Sequence, residues 1–223
     1  CCIVTTTDGV LGKSECHGGK IDWFNVKSNT VLGTNWNTGN TQDGEELPAI
    51  LGACYLIDRD YFFHLHGWWS VKEWGCQEPH LSLKVWLAGG TIRYLQALRI
   101  GHIFRQKLNG KFNVPYNTSI SGWIYNKMRF ARELILDDRV SNWYIHRLMA
   151  EPGGRCCAGK MFEADRVEIE AERDYFKKLF IHDVHWYWAK FKLSDPTLLA
   201  PAVPVVKPKG EPVVSHRGGP LAV

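Results

Sequence analysis

Residues 51–105 read LGACYLIDRDYFFHLHGWWSVKEWGCQEPHLSLKVWLAGGTIRYLQALRIGHIFR, and three features of this stretch decide how the chain is understood. The first is an apolar run, residues 49–57, that ends inside it. Its length and continuous apolar character predict a strand buried on both faces. Asp58 follows and can cap a short helix over 61–65. The second is Trp74-Gly75, a turn that opens a helix expected over 77–88. Leu81, Val85 and Trp86 supply its buried face, and Gly89-Gly90 end it, as glycine at a helix C-terminus should. The third is Gly101-His102-Ile103-Phe104-Arg105, closing a short strand expected over 98–104; another is expected over 91–94.

Outward from there, residues 2–7 form a β-branched run that reads as a strand. Gly, Asn, Thr and Asp dominate up to residue 46, which predicts loop and hairpin without helix. After a loop over 106–122, a helix is expected over 124–136. From residue 141 the pattern stays helical, with a charged amphipathic stretch over 163–180 that Trp186, Trp188 and Phe191 continue. Residues 196–223 are proline-rich and aperiodic and read as a disordered tail.

A chain of 223 residues, 45% hydrophobic and 22% charged, is long enough for one domain with a sizeable core. The net charge of +4 is spread over scattered Lys and Arg, so no nucleic-acid surface is implied. Ten Trp, eight Tyr and ten Phe suit rings that stack on sugars or bases, and suit a core equally. The seven Cys include no CxxC pair, which argues against a zinc ribbon or a thioredoxin-type site. Cys1-Cys2 and Cys156-Cys157 are vicinal pairs that would be strained if bridged to each other. Reduced thiols, no signal peptide and no apolar run of membrane-spanning length predict a cytoplasmic protein without a transmembrane segment. The secretory pathway is the expectation if the full-length product carries an N-terminal anchor.

Two stretches carry a family resemblance. Trp74-Gly75-Cys76-Gln77-Glu78-Pro79-His80-Leu81-Ser82-Leu83-Lys84-Val85-Trp86 resembles the pattern W-G-G-E-N-x-E-x-S-x-R-x-W. Residues 100–105, Ile-Gly-His-Ile-Phe-Arg, resemble V-G-H-x-F-R. In this order and spacing they look like the second half of a sugar-nucleotide-dependent glycosyltransferase of the GT-A fold. The match is to the polypeptide N-acetylgalactosaminyltransferase-like branch of families 2 and 27. Gly52-Ala53 stand where the family has Gly-Gly, and Gly18-Gly19-Lys20-Ile21-Asp22-Trp23 loosely matches a G-G-x-D-W segment. Asn126-Lys127-x-Arg129 resembles the N-x-R-x-A-E helix; a solvated amphipathic face is the other reading of this stretch.

The resemblance implies an α/β fold, the acceptor-side half of a GT-A domain over residues 1–139. The nucleotide-binding first half is expected to precede Cys1, so the chain alone is expected to be inactive. Residues 140–195 would be a helical extension, and 196–223 the tail. The implied activity is transfer of a hexose or N-acetylhexosamine from a UDP-sugar to a hydroxyl on a carbohydrate or polypeptide acceptor. The alternative is a non-catalytic carbohydrate-binding or assembly protein that retains half of the fold.

The implied roles follow the motifs. Gln77 lies where the family has Glu, so Glu78 is the acid available within the turn and the expected catalytic residue. It would act as base in an inverting enzyme and orient substrate in a retaining one. Gly52, Ala53, Trp74, Gly75, Gln77 and Arg105 would bind substrate. His102 would ligate Mn2+ or Mg2+, with the remaining ligands in the first half. Asp58-Arg59-Asp60 spells Asp-x-Asp but is read as a helix cap. Asp183-Val184-His185 mimics Asp-x-His after the family's last motif and is given little weight.

Overall fold

The computed structural model describes residues 2–7, 10–37, 39–52, 54–102, 107–108, 111–112 and 118–199. The β-branched opening run forms β1 (Cys2–Thr7). It pairs antiparallel with β2 (Val10–Cys16) and parallel with β5 (Arg99–His102), in a register that sets His102 opposite Thr5. A second sheet is the antiparallel hairpin of β3 (Gly19–Asn25) and β4 (Thr30–Trp36). Alternation along β3 buries Ile21 and Trp23 and exposes Lys20. β6 (Lys107–Leu108) and β7 (Lys111–Phe112) make a small separate hairpin.

The helices are α1 (Arg59–His64), α2 (Gln77–Leu87), α3 (Ile120–Leu134) and α4 (Asp138–Ala150), then α5 (Gly159–Ala164), α6 (Arg166–Leu179), α7 (Val184–Lys190) and α8 (Pro196–Leu199). A π-helical turn, Gly154–Ala158, joins α4 to α5. Trp23 ties the hairpin to the helices. Its ring meets Phe130 at 5.8 Å, Tyr144 at 6.2 Å, Tyr187 at 5.6 Å and Trp188 at 5.4 Å, so β3, α3, α4 and α7 share one core. Arg173 of α6 donates to the carbonyls of Ile135 and Leu136, at 2.8 Å each, just past the C-terminus of α3, where helix carbonyls lack partners. No helix among the described residues is long and apolar enough to cross a membrane.

Three expectations need correction. Residues 49–57 are not a strand. Ala49 makes a single antiparallel bridge to Gly19, and the chain beyond it is irregular. The Ile50 N–H, which a ladder would have used, donates to Ser82 Oγ at 3.0 Å instead. The apolar side chains that suggested burial on two faces line a cavity of about 280 Å³, walled by Ile50, Leu51, Tyr55, Leu81, Val85 and Leu98. Residues 91–94 likewise make only an isolated bridge, Arg93 to Glu46.

The second correction concerns α2. It is buried from Pro79 to Leu87 rather than along one face. Its polar residues are satisfied inside, as buried polar groups must be. Lys84 Nζ donates to the Gly67 carbonyl at 3.1 Å and lies 4.7 Å over the Phe176 ring, and Trp86 Nε1 donates to the Leu47 carbonyl at 3.1 Å. The third concerns α3, which begins at Ile120 because the Ser119 hydroxyl caps it, accepting from Gly122 N at 2.8 Å. Its residues Asn126, Lys127, Arg129 and Glu133 are buried, not a solvated face.

Both look-alikes of metal motifs are caps. Asp58 Oδ1 accepts from Tyr61 N at 2.8 Å at the start of α1, and Asp183 Oδ1 from Trp186 N at 2.8 Å at the start of α7. Of the expected tail, residues 196–199 form α8, and the rest lies outside the described residues.

Candidate functional site

The chain enters α2 through two consecutive residues with positive φ, Gly75 at 127° and Cys76 at 67°. Gly75 is required twice over: a Cβ there would stand 2.3 Å from Trp123 Cδ1, and its φ is one that side-chain-bearing residues avoid. Gln77 braces the turn from within. Its Oε1 accepts from Gly75 N at 2.6 Å, and its Nε2 donates to the Glu73 carbonyl at 2.9 Å. Asn126 braces it from α3, accepting from Lys72 N at 3.0 Å and donating to the carbonyls of Lys72 and Gly75 at 2.6 and 2.9 Å. Ser119 Oγ donates to Glu73 Oε2 at 2.8 Å, a third tie to the same turn.

Lys127 anchors Trp123 behind Gly75. Its Nζ lies 3.8 Å from the Trp123 ring centroid and donates to the Val31 carbonyl at 2.7 Å. Burial depresses its pKa, against the charge of Glu151. Cys76 is a packing residue, because burial pushes its thiol up to about 12.

On this braced turn, Glu78 sits in the first turn of α2, where a helix N-terminus favours negative charge. Its carboxylate lies directly over Gly52: a Cβ on Gly52 would be 2.0 Å from Glu78 Oε1. Only glycine leaves room for the carboxylate there. Burial raises the Glu78 pKa above the ordinary carboxylate range, opposed by a hydrogen bond from its own backbone. No ion pair to Glu78 is found among the described residues.

Tyr55 forms a neighbouring wall. Its phenol is pushed up to about 12 by burial and then by the Glu78 charge, and its ring meets Trp68 edge-on at 5.9 Å. Trp68 Nε1 donates to the Gln77 carbonyl at 3.2 Å, tying that wall to the helix start. Trp74 is 51% exposed and Trp123 is 39% exposed, so aromatic surface is open to solvent around the turn. The arrangement therefore offers a half-buried carboxylate seated on Gly52, with aromatic surface at the same turn for an uncharged ring.

The structure thus brings together Gly52, Trp74, Gly75, Gln77 and Glu78. Gln77 spends its side chain on the turn, which leaves Glu78 as the carboxylate that faces Gly52. His102 ends β5, opposite Thr5 of β1. Ala53 and Arg105 lie outside the described residues. Asn126 was part of a recognisable motif, but nothing in its spacing revealed what it holds. Ser119 and Tyr55 carry no motif and join the site only through contacts between distant segments.

No family model matches this chain. Individual proteins do. This chain is similar to polypeptide N-acetylgalactosaminyltransferases. Mouse polypeptide N-acetylgalactosaminyltransferase 10 is 23% identical over 194 residues, which are 86% of this chain and 29% of that protein. Human polypeptide N-acetylgalactosaminyltransferase 16 is 29% identical over 141 residues, 63% of this chain and 23% of that protein. Drosophila melanogaster polypeptide N-acetylgalactosaminyltransferase 8 is 39% identical over 96 residues, 41% of this chain and 16% of that protein. The match to these enzymes covers much of the chain at low identity, and the chain spans less than a third of the length of these relatives.

Proposed function

We propose that this chain is the acceptor-side portion of a GT-A glycosyltransferase that moves a hexose or N-acetylhexosamine from a UDP-sugar to a hydroxyl on a polypeptide or carbohydrate. The observation that carries the reading is the Glu78 carboxylate lying over Gly52 on a turn braced by Gln77 and Asn126. The names of the similar proteins support a transferase with a polypeptide acceptor.

Glycosyl transfer needs an acceptor hydroxyl oriented at the anomeric carbon, and a group to receive or hold its proton. Glu78 suits either part. Burial raises its proton affinity, which makes it a stronger base and a stronger hydrogen-bond acceptor than a solvated carboxylate. Gly52 makes room for the Glu78 carboxylate, and Trp74, 51% exposed, presents aromatic surface at the same turn.

The resemblance also implies Mn2+ or Mg2+ for the diphosphate. Among the described residues no three His, Cys, Asp or Glu side chains gather as ligands. These residues do not fit the ion on their own. His102 is proposed as no more than one donor of such a set.

The test is turnover of UDP-sugar by Glu78→Gln and Gln77→Ala in the native protein, with melting temperatures alongside. Glu78→Gln keeps shape and removes the charge, so turnover should fall about a hundred- to ten-thousand-fold. Gln77→Ala should act through the turn, lowering the melting temperature as well. Unchanged turnover in Glu78→Gln would remove the catalytic reading of this turn.

A further inference from the structure

The π-helical turn Gly154–Ala158 carries two adjacent exposed cysteines that the proposed transferase site does not use. Their sulfurs lie 3.5 Å apart. Neighbouring residues on a helix do not normally face each other, so this convergence depends on how the turn is held. It is clamped at both ends. Gly153 has φ 84°, and a Cβ on Gly154 would be 2.1 Å from the Leu148 carbonyl oxygen. Ala158 and Gly159 are buried on the far side, and a Cβ on Gly159 would be 2.8 Å from Met149 Sδ. The two thiols are thus presented outward from a backbone that packing fixes.

Two fates are open to such a pair, a disulfide or a shared ligand. Adjacent Cα atoms across a trans peptide are about 3.8 Å apart, shorter than the roughly 4.4–6.8 Å that disulfides span. The chain has no cis peptide bond among the described residues. Oxidation would therefore have to distort the clamped turn. A ligand shared by the two sulfurs meets no such obstacle. With metal–sulfur bonds of about 2.3 Å, the observed sulfur separation corresponds to a sulfur–metal–sulfur angle of about 100°, close to tetrahedral.

We propose that Cys156 and Cys157 form a two-thiolate chelate for a soft, thiophilic cation, with solvent or an outside ligand completing the coordination. On binding, two metal–sulfur bonds form and two S–H protons leave to solvent, with no change of oxidation state. Thiolate pairs select soft cations over Mg2+ or Mn2+, so the site is chemically distinct from any diphosphate-linked ion.

Cd2+ alone is a sufficient probe, followed by its thiolate charge-transfer absorption and by calorimetry. The native protein is used with Cys1 and Cys2 replaced by Ser, so that the other vicinal pair is silent. One equivalent should bind. Cys156→Ser and Cys157→Ser should each weaken binding about a hundredfold by removing the intramolecular second contact, while Cys54→Ser leaves it unchanged. Both positions are exposed, so melting temperatures should not move and folding does not confound the result. Equal affinity in the single variants would overturn the proposal. So would recovery of the pair as a vicinal disulfide from protein kept in air.

Discussion

The interior between α2, α3 and α6 and the turn that opens α2 both hold charged side chains, and they treat them in opposite ways. Inside, Glu133 receives Arg129 Nε at 2.5 Å and shares a 3.2 Å hydrogen bond with His80. Arg129 also reaches Tyr125 at 2.9 Å and Glu168 at 2.8 Å. Burial opposes ionisation of Glu133, but the His80 bond and the Arg129 and Lys84 charges win, and its pKa lies below the ordinary range. Burial, then the Lys84 charge, pushes His80 down to about 4, so it is neutral. Burial also brings Lys84 down to about 8. At the turn, by contrast, Glu78 is desolvated with no ion pair among the described residues, and its pKa moves up. Charges paired in the interior serve the architecture. A half-buried charge with no ion pair among the described residues is a cost that an architecture alone has no reason to keep, and such sites tend to be functional.

This comparison can be broken from either side. The largest expected effect is at Glu133. Glu133→Gln leaves Arg129 and Lys84 buried with less negative charge to offset them, and folding stability should fall by about 3 kcal/mol. A urea titration reads this as a lower midpoint, and a loss below about 1 kcal/mol would show the network to be dispensable.

Acid should find the same network. The folded His80 pKa is near 4 against an ordinary 6.5, so the unfolded chain binds the extra proton. Stability is therefore full above pH 6.5 and declines towards pH 4, by about 3 kcal/mol in all. Glu133, with its depressed pKa, adds a further loss as pH falls below the ordinary carboxylate value. A melting temperature that stays flat from pH 7 to about 4.5 would contradict a neutral buried His80.

Asn126 links the two regions, since it stands on α3 and holds the turn. Asn126→Ala removes three hydrogen bonds to residues 72 and 75 and should cost about 2 kcal/mol of stability. If the turn is the active one, turnover should drop further than the small shift in melting temperature alone explains. Full activity in a destabilised Asn126→Ala would separate the brace from the site.

The smallest stability effect is expected at Glu78 itself. Its raised pKa means that the ionised form costs stability at neutral pH, a cost that disappears as pH falls through the folded pKa. Glu78→Gln should therefore melt at the same temperature or slightly higher, within about 1 kcal/mol, while losing turnover. A variant that melts much lower would place Glu78 with the structural charges of the interior.

Much of the site was legible because it is local. The helix over 77–87, its glycine stop at Gly89 and the cap at Asp58 depend on neighbours a few residues away, and a linear sequence carries that information directly. The expectation that Glu78 rather than Gln77 is the acting residue rested on position. Gln77 turned back onto Glu73 and Gly75 was not legible there. Residues 49–57 misled for the complementary reason: an apolar run states that side chains avoid water, but not whether a neighbouring backbone stands ready to pair.

The sequence by itself determined the turn chemistry around Trp74-Gly75, the helix it opens and the family resemblance, because these rest on spacing and on backbone conformations that only certain residues adopt. Tertiary structure decided the rest. It buried α2 on all sides, made interior of Asn126, Lys127, Arg129 and Glu133, and set Glu78 over Gly52 with no ion pair among the described residues. Desolvation and ion pairing depend on what surrounds a side chain in three dimensions, and segments separated by 46–54 residues supply those surroundings here.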